Sequence, residues 1–140
     1  MTQRLFFLLA LVGTLLLSTI SAHVAAFTVT PGKWQFDYRS RSSFSPQPQE
    51  KTETQCVKET DWDPSKSIAN SGNCQVSGVT HDSTSFKGNV SCSRGKGMPP
   101  MTGSMEYTST GSTMTGRTLF KGEEYSMEMN TTGKHLGECD

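Results

Sequence analysis

Apolar and polar residues alternate with a period of two through most of the chain beyond residue 26, the spacing of half-buried strands. The clearest run is residues 74–92. Folded about Ser83, it sets Cys74 against Cys92, Val76 against Val90, Gly78 against Gly88 and Thr80 against Phe86 on one face. The other face carries Gln75, Ser77, Lys87, Asn89 and Ser91. One side is apolar or half-cystine and the other is polar, which predicts an antiparallel hairpin. A Cys74–Cys92 disulfide across that ladder would close a loop of about 17 residues and stabilise the fold by roughly 3 kcal/mol.

Upstream, Trp34, Phe36 and Tyr38 alternate with Gln35, Asp37 and Arg39 in a strand entered at Lys33. Three aromatics on one face read as core, or alternatively as a platform for stacking a ligand. Residues 40–49, rich in Ser and Pro, read as an exposed loop around Pro46 and Pro48. Residues 50–57 alternate Thr with charge and end near Cys56, the pattern of a protected edge strand. The period is lost over residues 58–73. There Thr60 and Asp63 resemble a weak helix cap, Trp62 is placed to close one end of the sheet, and Ser71-Gly72 ends the stretch. Residues 93–100, with Met98-Pro99-Pro100, read as a connection. X-Gly turns at Thr110-Gly111 and Lys121-Gly122 then predict a three-stranded meander. Tyr107 pairs with Met114 and Met105 with Gly116, while Met114 pairs with Met129, Gly116 with Met127 and Thr118 with Tyr125. One face collects Met105, Tyr107, Met114, Tyr125, Met127 and Met129, and the other Ser104, Glu106, Thr115, Ser126 and Glu128. Residues 133–139 are expected to leave the sheet, and with Cys74 paired to Cys92 only Cys56 with Cys139 remains. The expected architecture is all-β, an antiparallel meander of about seven strands. It forms a strongly curved sheet or half-barrel, with one short helix or cap between strands 2 and 3 and two disulfides.

The first 26 residues stand apart. Arg4 precedes an apolar run over residues 5–17, and Val24-Ala25-Ala26 fits a signal peptidase site, with Ala22 a second candidate. Residues 1–26 therefore read as a cleaved signal peptide and 27–140 as a single β-rich domain. No cysteine near the cleavage region offers a lipid anchor, and no later stretch is apolar for long enough to imply stable membrane insertion. The 114 residues that remain hold 12 of the 13 basic residues against 13 acidic ones, and the basic residues are scattered. Nucleic acid is therefore not an expected partner. Four cysteines behind an export signal, in a domain short of aliphatic residues, read as disulfides that staple a thin core in an oxidising compartment.

Several landmarks occur in a fixed order. Pro31-Gly32-x-Trp34 opens the mature chain, Cys56 closes the second strand, and Cys74 and Cys92 mark the hairpin. Met101-Thr102-Gly103 and Met114-Thr115-Gly116 follow, and Gly133-Lys134-x-x-Gly137-x-Cys139 ends the chain. In these the chain resembles a bacterial family of small exported proteins classified as a domain of unknown function. The resemblance covers nearly all of the mature chain and implies export to a bacterial periplasm and an all-β domain. It implies no activity.

No catalytic signature emerges. There is no GxSxG elbow or CxxC, His81 and His135 have no patterned acidic partner, and Glu123-Glu124 read as solvated charge at a turn. Neither an enzyme nor a cofactor is expected. The methionines are the one notable constellation, with six of seven between Met98 and Met129. They read as core or pocket lining, and a soft Cu(I) or Ag(I) site is the weaker alternative. Two function classes follow. In one, the Met and aromatic face holds a small apolar ligand. In the other, that face is filled and the protein contacts another envelope protein through residues 50–57 or the segment around Pro46 and Pro48.

Overall fold

The computed structural model describes residues 25–60, 62–70, 72–97 and 99–140. The expected leader falls almost wholly outside them, as do Ser71 and Met98. Seven strands form one antiparallel sheet: β1 (Gly32–Ser42), β2 (Ser45–Val57), β3 (Cys74–His81), β4 (Ser85–Cys92), β5 (Met101–Ser109), β6 (Thr113–Lys121) and β7 (Ser126–Gly137). A single short helix, α1 (Pro64–Ala69), lies between β2 and β3. Strands β3 to β7 run as a meander, and the β1–β2 hairpin docks on β7, giving the order β2-β1-β7-β6-β5-β4-β3. The sheet is open, with β2 and β3 at its edges. Both expected disulfides are present, Cys74–Cys92 across the β3–β4 ladder and Cys56–Cys139 between the end of β2 and the tail.

Four local expectations are corrected. Residues 40–49 are not a loop. Strand continues on both sides of a tight turn at Ser43 and Phe44, with Ser42 opposite Ser45. The prolines fit because β2 is an edge, where a nitrogen without a hydrogen faces solvent. Residues 133–137 do not leave the sheet but form the end of β7, opposite β1. The helix cap is not set by Thr60. Asp63 itself accepts from Ser65 N (2.9 Å) and Oγ (2.6 Å), and Pro64 occupies the first helical turn, where its missing N–H is not needed.

The fourth correction concerns register. In β5–β6 the turn closes from Thr110 N to Thr113 O, and in β6–β7 from Gly122 N to Tyr125 O, so the loop residues are Gly111-Ser112 and Glu123-Glu124. Tyr107 therefore faces Gly116 instead of Met114, and Met129 faces Thr118 instead of Met114. Moving a turn by one residue moves the pairing by two, which leaves every side chain on its expected face. The β3–β4 hairpin behaves differently. Cys74–Cys92 and Val76–Val90 pair as expected, but an irregularity between Ser77 and Thr80 shifts the register by one, and Phe86 meets His81 instead of Thr80. Gly78 lies there at φ +59°, the left-handed backbone that a glycine bulge uses.

One face of the sheet is covered. The segment around Phe27 and Val29 bonds to Ser83, Thr60 and Gly111, and Trp62 and Ile68 pack on the same side. Two glycines make this possible. A Cβ at Gly116 would land on the Tyr107 ring, and one at Gly133 would sit 2.9 Å from Phe36 Cε1 and 3.3 Å from Trp34 Cε3. Large rings on one strand thus fill the space left by glycine on the next.

Thr118 is fully buried, and its Oγ1 makes no hydrogen bond among the described residues. Thr118→Val keeps the shape and removes a hydroxyl whose interaction with the Tyr107 phenol falls short of a hydrogen bond. It is expected to leave stability unchanged or raise it by up to about 1 kcal/mol in urea unfolding.

Asp82 closes the β3–β4 turn. Its carboxylate accepts from Thr84 N (2.7 Å), Ser85 Oγ (2.8 Å), Thr84 Oγ1 (2.9 Å) and Ser85 N (2.8 Å). These bonds, the Thr84 amide foremost, hold its pKa down from 3.8 to about 2. A lowered carboxyl contributes fully above its unfolded value and loses that contribution as pH falls through the folded one. Asp82→Ala is therefore expected to be less stable than the parent at about pH 5, with the gap closing as pH falls from about 4 towards 2. Urea midpoints across that range check this, and a constant gap would contradict it.

Candidate binding surface

The covered face has a closed half and an open half. In the closed half, Phe27, Trp34, Phe36, Phe86, Met105, Tyr107 and Met114 form one buried cluster, with Tyr38, Val57, Trp62 and Val76 packed on it. Trp34 is 0% exposed. It stacks on Phe36 at 5.8 Å between centroids, and its Nε1 donates to Thr30 O at 2.8 Å. Trp62 stacks over Phe36 and meets Tyr107 edge-on at 5.9 Å. Burial pushes the Tyr107 phenol above its usual pKa. Burial, with Glu53 and Tyr107 behind it, does the same to Tyr38. A cleft of about 220 Å³ remains at the margin, among Phe27, Trp62, Lys66, Val79 and Phe86.

The two histidines among the described residues, His81 and His135, are engaged in packing. His81 stacks on Phe86, with Nδ1 3.0 Å from Ala25 O. His135 lies edge-on to Trp34, with Nε2 3.1 Å from Pro31 O. The terminal motifs thus meet: Trp34 pairs with His135, Phe36 with Gly133 and Lys33 with Gly137.

The expected ligand-facing residues divide between the halves. Met105, Tyr107 and Met114 are enclosed, whereas Tyr125, Met127 and Met129 are half-buried. Met127 also packs, with Met101, on a second small cluster of Val90, Cys92 and Phe120. The described methionines are therefore dispersed: Met105 and Met114 sit in the first cluster, Met101 and Met127 pack on the second, and Met129 belongs to neither. Among the described residues, no three His, Cys, Asp or Glu side chains gather to hold a metal.

The open half is a groove of about 230 Å³ between the β1–β2 hairpin tip and the β6–β7 turn, lined by Ser40, Ser42, Gln47, Gln49, Tyr125 and Met127. The two tips are tied together by Ser43 N to Ser126 O (2.9 Å) and Ser126 N to Ser43 Oγ (3.1 Å). Phe44, 71% exposed, stacks on Tyr125 at 5.1 Å and 21°. The Tyr125 phenol donates to Met127 Sδ at 3.2 Å, and the Arg94 guanidinium lies 5.8 Å from the ring centroid. The pattern of alternation missed Phe44, because it sits at a turn. Its one signal was an aromatic isolated among serines and prolines.

The outer face is charged and paired: Arg117 with Glu128 (3.1 Å) and Lys87 with Glu106 (3.4 Å). Arg117, then Asn130, hold the Glu128 carboxyl below its usual range. Such exposed pairs contribute little to stability.

These features define an open, all-β, disulfide-stapled single-sheet domain with one plugged face. Two disulfides suggest an oxidising, extracytoplasmic environment, and among the described residues no helix is long and apolar enough to cross a membrane. The chain belongs to the family described as protein of unknown function (DUF3617), whose model matches residues 29–139. No curated protein and no solved structure matches it.

Proposed function

We propose that the protein is a non-enzymatic binding module of the periplasm or cell exterior, released from its leader, and that it binds through the open groove and not through the aromatic interior. The observation that carries this reading is the division of the Met and aromatic face. Met105, Tyr107 and Met114 are enclosed by Trp62 and the N-terminal segment. Tyr125 and Met127 line an accessible groove with an exposed Phe44 stacked beside it. Of the two clefts beside Trp62, the one among Phe27, Val79 and Phe86, about 220 Å³, is smaller than the roughly 300 Å³ at which pockets for enclosed small molecules begin. The other, about 370 Å³, is lined mostly by polar and charged side chains such as Gln55, Lys58, Glu59 and Lys66 and by none of the methionines. The groove is close in size to the smaller cleft but lies between two hairpin tips, so a ligand can extend beyond it.

The test is mass spectrometry of material that copurifies with the protein from its own host. Ser42→Trp fills the groove, and Met105→Leu perturbs only the interior. A molecule retained by the parent and by Met105→Leu but lost from Ser42→Trp supports the groove. An empty parent, or equal retention by both variants, counts against it.

A further inference from the structure

We infer that the groove takes a neutral carbohydrate, with one pyranose ring lying among Ser40, Ser42, Gln47 and Gln49 and the sugar reaching past the lining to Phe44 at the rim. This rests on the preceding reading that the groove is the binding surface. Apart from Arg41 and Met127, its lining is built from neutral groups that both donate and accept. Ser40 stands opposite Gln49 and Ser42 opposite Ser45 across the β1–β2 ladder, and successive residues on one face are about 7 Å apart along each strand. Among the described residues, the side chains of Ser40, Ser42, Gln47 and Gln49 have no hydrogen-bond partner in the protein. Hydroxyls and carboxamides of this kind match a ligand whose own hydroxyls must both give and receive.

The aromatic part is preorganised. Phe44 is exposed yet fixed by its stack on Tyr125, which is itself held by Met127 and Arg94. A fixed ring with a free face attracts the slightly positive C–H groups of a sugar through its quadrupole, with little ordering cost on binding. The groove's 230 Å³ equals the liquid volume of about seven or eight waters, the scale of one sugar ring.

Other ligand chemistries fit less well. An apolar chain would cover four polar side chains and leave them unsatisfied, at a cost for each. An anion would call for free cations. The one cation in the lining, Arg41, stands opposite Glu128 and helps to hold that carboxyl ionised.

The experiment is titration of the disulfide-intact, ¹⁵N-labelled protein with cellotetraose, chitotetraose and maltotetraose, followed by amide shifts. At least one sugar is expected to shift residues 40–49 and 125–127 saturably. Phe44→Ala and Gln49→Ala should each weaken that binding by about tenfold, while Val79→Ala, at the other end of the sheet, leaves it unchanged. No saturable shift in these segments at about 10 mM of any of the three sugars overturns the assignment, as does binding that Phe44→Ala leaves intact. A copurifying ligand that is not a sugar but is lost from Ser42→Trp also overturns it, while the groove itself stands as the binding surface.

Discussion

Replacing Cys56 and Cys139 together by serine is expected to cost about 4.5 kcal/mol, against about 3 kcal/mol for the Cys74/Cys92 pair. The difference comes from the chain each bond closes, with sequence separations of 83 and 18. A longer loop leaves the unfolded chain more freedom once the bond is gone, which favours unfolding. The Cys56–Cys139 bond also draws the tail beside the end of β2, next to the first residues of β1, so its loss should speed amide exchange along the β2 edge first. Urea unfolding of the two double-serine proteins without reductant decides the matter. If the Cys74/Cys92 protein proves the less stable, the loop-length account fails.

Trp34→Ala is expected to cost about 4 kcal/mol, a large part of the roughly 5–15 kcal/mol that holds an ordinary domain together. The indole is wholly buried between Phe36 and His135, and its N–H satisfies Thr30 O. Trp34→Phe keeps much of the packing but loses the bond to Thr30 O, so a loss nearer 1–2 kcal/mol is expected. The groove provides the contrast: Tyr125→Ala, half-exposed at a turn, should change stability by no more than about 1 kcal/mol. Denaturation midpoints with near-ultraviolet circular dichroism measure all three. A Tyr125→Ala loss as large as that of Trp34→Ala would show Tyr125 to be part of the core and remove it from the candidate surface.

The strands and their faces were legible because the alternation repeats every two residues. Met105, Tyr107 and Met114 were placed inward, and Glu106 and Thr115 outward, even though the turns were set one or two residues early. Such errors move pairings by even numbers and cancel for side-chain direction. The bulge at Gly78 was not legible. It shifts the ladder by one, and nothing in the local pattern separates a glycine at a bulge from one in a regular strand, so Phe86 was set opposite Thr80 instead of His81. The far end of the sheet was misread for a related reason. Serines and prolines over residues 40–49 carry the composition of a loop, yet an edge strand tolerates them, and half of the candidate groove lies there.

Sequence alone determined that this is an all-β chain with a Cys74–Cys92 hairpin, a polar edge and one apolar face, since each of these follows from local period and turn chemistry. Only the tertiary structure decided which part of that face is core and which is surface. That depends on where the N-terminal segment and Trp62 come to rest, and on β1 pairing with β7, contacts between residues up to about a hundred positions apart that no local pattern encodes. By plugging one half of the sheet and leaving the other open, those contacts place the methionines of one face in two different environments, and they bring Phe44 to Tyr125.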